Sequence, residues 1–186
     1  PDWAKVSQYC DVVIGGGYML MPTYDHLFDS EHEGNAESIW EINGDGWGSP
    51  IGAWSTFMFL GTDWKKFNAP SHTLVQAFTT NGDSQRLASS ITTASVGWSD
   101  SYWSSTSYPF ANKMRDTNGN HNYYIARLAD ILLLIAEALA SQGDYAGAMT
   151  LVNQVRTRAG IATISATSQS AGITNVLNER LMELAF

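Results

Sequence analysis

The segment from 126 to 149, ARLADILLLIAEALASQGDYAGAM, constrains the fold most because its first half is apolar on nearly every side of a helix. At about 100° per residue, Arg127, Asp130 and Glu137 fall within one strip about 80° wide, and apolar residues cover the other directions. A helix of this kind packs against neighbours on several sides. We predict that it spans residues 123–141, with Arg127 and Asp130 one turn apart and paired as part of a narrow polar seam.

A second helix follows closely. Gly143 is predicted to end the first helix in a left-handed conformation, and Asp144 to cap the next one, which ends at Gly160. Apolar side chains recur along one face of this second helix, at positions 145, 148, 149, 152, 155 and 159. Residues 125–158 are therefore predicted to form a 34-residue helix-turn-helix, which is the period of a tetratricopeptide repeat. A third helix is predicted to open at Thr174 and to run to the end of the chain.

The rest of the chain is less regular. Residues 2–14 show helical spacing of apolar side chains and end at three glycines, and residues 37–42 alternate like a short strand. Residues 43–122 are rich in turn residues and are predicted to form a loop-rich insertion of short elements and long loops.

The predicted fold is mainly α, with tetratricopeptide-like helix pairs, long irregular loop insertions and little β structure. We expect one domain over 1–186, divided into 1–42, 43–122 and 123–186. A helical solenoid needs about three units, and one complete pair is present. The chain is therefore expected to be a fragment truncated at both ends.

Composition excludes some partners. The net charge is −8, from 18 acidic and 10 basic residues, so the chain is poorly suited to bind phosphate backbones and no nucleic-acid partner is expected. The single cysteine, Cys10, excludes an internal disulfide. No run of 18 apolar residues and no signal-peptide pattern is present.

Aromatic residues are abundant outside the helical segments. The chain has seven Trp, eight Tyr and seven Phe, and five of the tryptophans lie in segments rich in Gly, Ser, Thr and Asn. No helical stripe would bury these rings, which makes them candidates for a binding surface.

Several segments together resemble the SusD/RagB family, the surface glycan-binding lipoproteins of Bacteroidetes outer membranes. They are, in order, WAKVSQYCDVVIGGGYML, LFD, ESIWEI, PSHTLVQAFTTNGDSQRL, ARLADILLLIAEALASQGDYAGAMTLVNQVRTRAGI and NERLMELAF. The last resembles the Glu-Arg-x-x-Glu-Leu-Ala-Phe helix of the family, which normally continues into Glu-Gly and a further helix. Order and spacing agree with the middle and later part of the family.

The resemblance implies a SusD-like α-α superhelix that binds oligosaccharide without cleaving it. It also implies a SusC-like TonB-dependent outer-membrane transporter as partner, to which the glycan is delivered. The expected location is the extracellular face of the outer membrane. Attachment there would be through a lipid anchor absent from this chain, because Cys10 lies inside a predicted helix.

Sugar binding needs flat aromatic faces for the C–H faces of the rings and planar polar groups for the hydroxyls. The predicted stacking residues are Trp47, Trp54, Trp64, Trp98, Tyr102 and Trp103. The predicted polar partners are Asn81, Asp100 and Asn112. Asp83 and Arg86 match a recurrent Asp-x-x-Arg element of the family, and we expect them to pair and to pin their loop to the scaffold.

Two other functional classes remain open. A glycoside hydrolase needs two carboxylates across a cleft, and Asp63, Asp83 and Asp100 lie in the aromatic region. No nucleophile elbow, P-loop or dinucleotide fingerprint is present, so the chain is not expected to be an enzyme. A helical-repeat scaffold that binds only protein is the third possibility, against which the loop tryptophans argue.

No metal and no cofactor is expected. Asp116, Asn118 and Asn120 alternate like the start of a calcium loop, but His121 and Arg127 occupy the positions where an EF-hand requires Gly and Glu. The segment DHLFDSEHE contains His26, His32 and several acids without the helical i,i+4 histidine spacing. We interpret that segment as a solvated acidic turn.

Overall fold

The computed structural model describes residues 1–49 and 68–186. The helices within these residues are α1 (Trp3–Ile14), α2 (His72–Thr80), α3 (Ser84–Ser90), α4 (Leu128–Ser141), α5 (Tyr145–Arg158) and α6 (Gln169–Leu184), together with a short 3-10 helix at Tyr24–Leu27. The strands are β1 (Ser38–Ile42), β2 (Ile91–Ser95), β3 (Ser107–Ala111) and β4 (Tyr123–Arg127). The prediction of a mainly α fold with little β structure is confirmed.

The central helix is α4, which contacts α1, α5 and α6. These neighbours explain why α4 is apolar on nearly every side, since each of them buries a different part of its surface. The main core is formed by Leu128, Ala129, Leu132, Leu133, Ala136 and Ala140 of α4 with Ala148, Met149, Val152 and Val155 of α5 and Val176 of α6.

The turn between α4 and α5 has the predicted chemistry. Gly143 has a φ of +96°, a conformation that favours glycine, and the Asp144 side chain accepts a hydrogen bond from Gly147 N at 2.9 Å. The turn of the predicted helix-turn-helix and its second helix, α5, are therefore confirmed.

The predicted start of the third helix is wrong by five residues. Helix α6 begins at Gln169, because the Ser168 side chain caps it by accepting from Ala171 N at 3.2 Å. The Ser/Thr/Ala-rich sequence before Thr174 carries little apolar periodicity, but buried Gly172 brings this first turn against Tyr145 of α5.

The predicted start of the helix over 123–141, which corresponds to α4, is also wrong. Residues 123–127 form β4, which pairs antiparallel with β1, and the helix starts only at Leu128. Arg127 is extended, with φ −138° and ψ 160°, so it does not lie one helical turn from Asp130. The predicted Arg127–Asp130 pair is absent, since Asp130 forms an ion pair with Arg180 of α6 at 3.1 Å. Strand pairing with a segment 81–89 residues away in the sequence overrides the local helical pattern.

The region 43–122 contains more regular structure than its turn-rich sequence suggests. Helices α2 and α3 lie there, and β2 pairs antiparallel with β3. Leu74 and Phe78 of α2 pack on Met182 of α6, so this region is attached to the helical scaffold by a small apolar cluster.

A network of buried charges joins several of these elements. The Asp83 carboxylate accepts from Arg86 Nε at 2.5 Å, which is the predicted contact, and both side chains are fully buried. Four guanidinium groups and four carboxylates alternate in the network, which balances its charge. Its members are Arg86, Arg127, Arg156 and Arg158 with Glu37, Asp83, Glu179 and Glu183.

Within residues 1–49 and 68–186, no helix is both long enough and apolar enough to cross a membrane.

Candidate functional site

A groove of about 580 Å³ runs between α2 and α6. Its lining residues are His72, Thr73, Gln76, Ala77, Thr80, Asn81, Asn178, Leu181 and Met182. Amide and hydroxyl groups thus flank an apolar floor, and none of these described lining residues carries a carboxylate. From His72 to Asn81 the α2 side of the groove is about 13 Å long at 1.5 Å per residue.

The period of α2 places these side chains on one face. Ser71 caps the helix by accepting from Leu74 N at 3.1 Å. Leu74 and Phe78 are buried against the scaffold, which leaves His72, Gln76 and Thr80 along the opposite, exposed side at four-residue intervals. Gln76 Nε2 donates to Thr80 Oγ1 at 2.8 Å, so these two polar groups lie next to each other on the groove wall.

An aromatic cluster contacts His72, the groove residue at the start of α2. The His72 ring lies 4.4 Å from the Tyr102 ring and 3.8 Å from the Trp103 ring, measured between centroids. His72 N donates to Tyr102 Oη at 2.9 Å, and His72 Nε2 donates to Tyr102 O at 2.8 Å. Tyr102 is 52% exposed, whereas Trp103 is half-buried and donates from Nε1 to Pro70 O at 2.9 Å. Tyr102 is therefore the ring of this cluster that offers a face to a ligand.

Asp100 organises the loop that carries both rings. Its Oδ1 accepts from Tyr102 N at 2.9 Å and from Trp103 N at 2.6 Å, and its Oδ2 accepts from Tyr108 Oη at 2.9 Å. Burial and the Asp100 carboxylate raise the pKa of Tyr108 to about 12, so the phenol keeps the proton that it donates. Asp100 therefore holds the geometry of this loop, and its polar contact with a ligand stays a prediction.

Two other predicted rings, Trp98 and Trp47, have contacts elsewhere in the described residues. Trp98 packs on the β2–β3 pair, with its ring 4.7 Å from Tyr108 and 6.2 Å from Phe110. Trp47 is 41% exposed and donates from Nε1 to Thr117 O at 2.7 Å, where Gly119 lets the indole approach the backbone. Trp54 and Trp64, together with Asp63, lie outside the described residues.

The two predicted asparagines have different surroundings. Asn81 lies at the end of α2 and lines the groove, with its Nδ2 donating to Ala77 O at 2.9 Å. Asn112 follows β3, and its Nδ2 donates to Ala88 O at 3.3 Å, away from the groove lining. The structure therefore places Asn81 in the lining of the groove and Tyr102 against its residue His72, whereas Trp47 and Asn112 do not line it.

Of the nine lining residues only Asn81 was predicted, and the polar residues that were missed are His72, Thr73, Gln76, Thr80 and Asn178. The four-residue spacing of His72, Gln76 and Thr80 in PSHTLVQAFTTN was the available signal, because it marks the face opposite Leu74 and Phe78. Asn178 had no such signal, since its place depends on how α6 packs beside α2.

Side chains of the types that bind metal ions are grouped in a different part of the molecule. One ligand atom each from His26, Asp29 and His32 lies within 4.8 Å of the others. The segment DHLFDSEHE, which we interpreted as a solvated acidic turn, therefore also brings two histidines and one aspartate together. The Asp116 carboxylate, from the calcium-like segment, accepts backbone hydrogen bonds from Asn118 N and Asn120 N, as in a turn.

Comparison with known proteins places this architecture in a family. A model of the SusD family matches residues 52–186. Among solved structures, a SusD superfamily protein from Parabacteroides distasonis resembles the chain with a TM-score of 0.76 at 20% identity, over 98% of this chain and 44% of that chain. No curated protein matches the chain.

Two further solved structures carry names that describe binding. Surface glycan-binding protein A from Bacteroides uniformis has a TM-score of 0.71 at 26% identity, over 98% of this chain and 42% of that chain. A laminarin binding SusD-like protein has a TM-score of 0.65 at 25% identity, over 91% of this chain and 43% of that chain. The chain spans less than half the length of each of these three proteins. Because the family model covers most of its residues, the chain belongs to the SusD family.

Proposed function

We propose that this chain binds oligosaccharide in the groove between α2 and α6, with the Tyr102 ring as the stacking platform at one end. The observation that carries the proposal is the contact of His72 with Tyr102, because it joins an exposed aromatic ring to a row of amide and hydroxyl groups. Rigid aromatic faces and planar amides are the groups that bind the two kinds of surface on a sugar ring.

Two relatives support this proposal by their names, a surface glycan-binding protein and a laminarin binding protein. Membership of the SusD family supports it further. We infer that the ligand is a glycan at the cell surface, and that the whole protein delivers it to a SusC-like TonB-dependent transporter at the outer membrane. Family resemblance is the support for this delivery step.

Binding without cleavage is the second part of the proposal. The described groove lining carries no carboxylate, and Asp100 is engaged by two backbone N–H groups and the Tyr108 phenol. Asp83 is buried and bonded to Arg86. Neither carboxylate is placed like the general acid of a glycosidase, which needs access to the scissile bond.

The experiment is affinity electrophoresis and calorimetry with a panel of soluble polysaccharides and oligosaccharides that includes laminarin. For a glycan that binds, Tyr102→Ala is expected to weaken binding about fivefold, since aromatic stacking contributes about 1 kcal/mol. Gln76→Ala is expected to weaken it a few-fold through a lost hydrogen bond.

Matched controls separate the groove from general surface effects. Trp40 is a 62% exposed aromatic residue on β1, and Gln154 is an exposed amide on α5, both outside the groove. Trp40→Ala and Gln154→Ala are expected to leave affinity unchanged. Equal binding by wild type and Tyr102→Ala would exclude this groove as the site. New reducing ends would favour a hydrolase, and no binding to any glycan would favour the protein-only scaffold.

A further inference from the structure

A second site is suggested by the segment from the 3-10 helix to β1, which is separate from the groove. His26 lies in the 3-10 helix Tyr24–Leu27, and the chain then turns back through Asp29 to His32. Leu27 and Phe28 are buried in the cluster with Tyr24, so they anchor the turn while the three polar side chains reach the surface. The three ligand atoms lie within 4.8 Å of one another although no two of these residues are i,i+4 neighbours.

The Asp29 carboxylate is held in place by its own turn. Its Oδ1 accepts from Glu31 N and His32 N, both at 3.0 Å. His32 Nδ1 lies 2.7 Å from Oδ1 and 2.9 Å from Oδ2 of the same carboxylate. A single hydrogen shared between a ring nitrogen and a carboxylate therefore sets the orientation of the His32 ring.

The two imidazoles face each other across this turn. The His26 and His32 rings are stacked, with centroids 4.0 Å apart and an angle of 7° between their planes. An imidazole binds a metal through a lone pair in the plane of its ring, so the stacked rings must turn towards a common ion. A transition-metal ion at about 2.0–2.1 Å from each ligand atom holds those atoms roughly 3.3 Å apart, so atoms that lie within 4.8 Å of one another must close by at most about 1.5 Å. His32 and Asp29 are about one-third exposed, which leaves their side chains room to rotate.

The donor set selects the kind of ion. Two imidazole nitrogens and one carboxylate oxygen suit zinc and similar divalent transition metals, whereas Ca²⁺ and Mg²⁺ prefer all-oxygen sites. The chain carries a net charge of −8, and Glu31 and Glu33 flank His32, so the surroundings attract a cation. Arg115, the nearby cation, is already paired with Asp25 at 2.6 Å.

We propose that His26, Asp29 and His32 bind one divalent transition-metal ion of the zinc class. The ion replaces the proton shared by His32 Nδ1 and the Asp29 carboxylate, and a nitrogen of His26 supplies the third ligand, with solvent in the remaining position. A neutral His32 imidazole then carries its hydrogen on Nε2, whereas an imidazolium gives up one proton to solvent. The affinity therefore falls as pH is lowered through the histidine range. The bound ion ties the 3-10 helix to the turn before β1.

The test is calorimetry with ZnCl₂ on the chain carrying no polyhistidine tag, at pH 7.5 and again at pH 5.5. The expected result is one Zn²⁺ per chain at pH 7.5, at least tenfold weaker binding at pH 5.5, and no saturable binding of MgCl₂. His26→Gln and His32→Gln are each expected to weaken Zn²⁺ binding at least tenfold, and Asp29→Asn, which keeps one acceptor oxygen for the turn, by a similar factor.

His72→Gln is the matched control, because His72 is an exposed histidine bonded to Tyr102 in the groove. It is expected to leave the Zn²⁺ affinity unchanged. Circular dichroism and the Tm of each apo variant check that the fold is intact, and imidazole NMR shifts of wild type on Zn²⁺ addition give a readout without any variant. Absence of Zn²⁺ binding to wild type, or full binding by both His26→Gln and His32→Gln, would overturn the proposal.

Discussion

Arg127 and Glu183 join the first strand pair to the last helix through two hydrogen bonds. Arg127 Nη1 donates to Glu183 Oε1 at 2.5 Å, and Arg127 Nη2 donates to Glu183 O at 2.6 Å. The other carboxylate oxygen, Oε2, accepts from Arg86 Nη1 at 2.9 Å. Glu183 is fully buried, so its negative charge is compensated only by neighbouring side chains.

Replacing Glu183 is expected to destabilise the fold strongly. In Glu183→Gln the buried guanidinium groups of Arg127, Arg86 and Arg158 lose their shared carboxylate, and breaking a buried ion pair typically costs about 3–5 kcal/mol. Glu137→Gln is the matched control, because Glu137 is partly exposed and lies 3.8 Å from Arg180, a pair for which about 1 kcal/mol or less is typical. Urea unfolding of both variants measures the difference, and equal losses would show that the buried network contributes little.

Stability is also expected to fall in acid because of the same carboxylate. Burial alone would raise the pKa of Glu183, but the guanidinium groups of Arg127, Arg158 and Arg86 outweigh it, and the net shift is well below 4.5. A carboxyl with a lowered folded pKa contributes stability that is present above its unfolded pKa and lost as pH falls towards the folded value. Between about pH 4.5 and pH 2.5, the free energy of unfolding should fall more steeply for wild type than for Glu183→Gln. Identical slopes in chemical denaturation would contradict this account.

Lys113 is expected to make stability rise with pH in the alkaline range. Its burial, and then the positive charge of Arg127, hold its pKa well below 10.5, so the unfolded chain binds more protons between those two values. Wild-type stability should therefore gain a rising contribution towards pH 10 that Lys113→Met lacks. At pH 7 the variant should be at least as stable as wild type, because Glu183 O still accepts from Tyr24 Oη and Arg127 Nη2.

The control for Lys113 is Lys5→Met, which removes an exposed lysine from α1. It should keep the wild-type dependence of unfolding free energy on pH between 7 and 10. A marked loss of stability in Lys113→Met at pH 7 would mean that the buried ammonium group is stabilised by its neighbours, contrary to this prediction.

Gly172 permits the close approach of α6 to α5. A Cβ at this position would lie 2.7 Å from Tyr145 Cβ and 3.6 Å from Ala140 Cβ. Gly172→Ala should therefore destabilise by about 1–3 kcal/mol through overpacking, despite the better helix propensity of alanine. Gly97→Ala, where a Cβ meets nothing within 4 Å, should change the Tm little. A Gly172→Ala variant as stable as wild type would show that the helices separate without cost.

Local patterns in the sequence predicted the helical frame well. The apolar stripe of α5, its Asp144 cap and the glycine before it are properties of neighbouring residues, and the structure shows each of them. The short helix and the strand near the N-terminus were predicted for the same reason. The apolar character of α4 also correctly indicated neighbours on several sides.

Long-range pairing decided what these patterns missed. The sequence pattern predicted a helical conformation for Arg127. In the structure Arg127 lies in β4, which pairs with β1, and its guanidinium forms ion pairs with Glu37 and Glu183. The position of Asn178 beside Gln76 likewise depends on α6 lying against α2.

The sequence by itself thus determined where helices form, how they are capped and which faces are apolar, because those properties depend on residues within a few turns of each other. The tertiary structure decided the partners of the buried charges, the groove between α2 and α6, and the approach of His26, Asp29 and His32. The physical reason is that the periodic spacing of residues along the chain predicts the face of the element on which each side chain lies. The contacts of that side chain across the fold depend on which distant segment packs against that face.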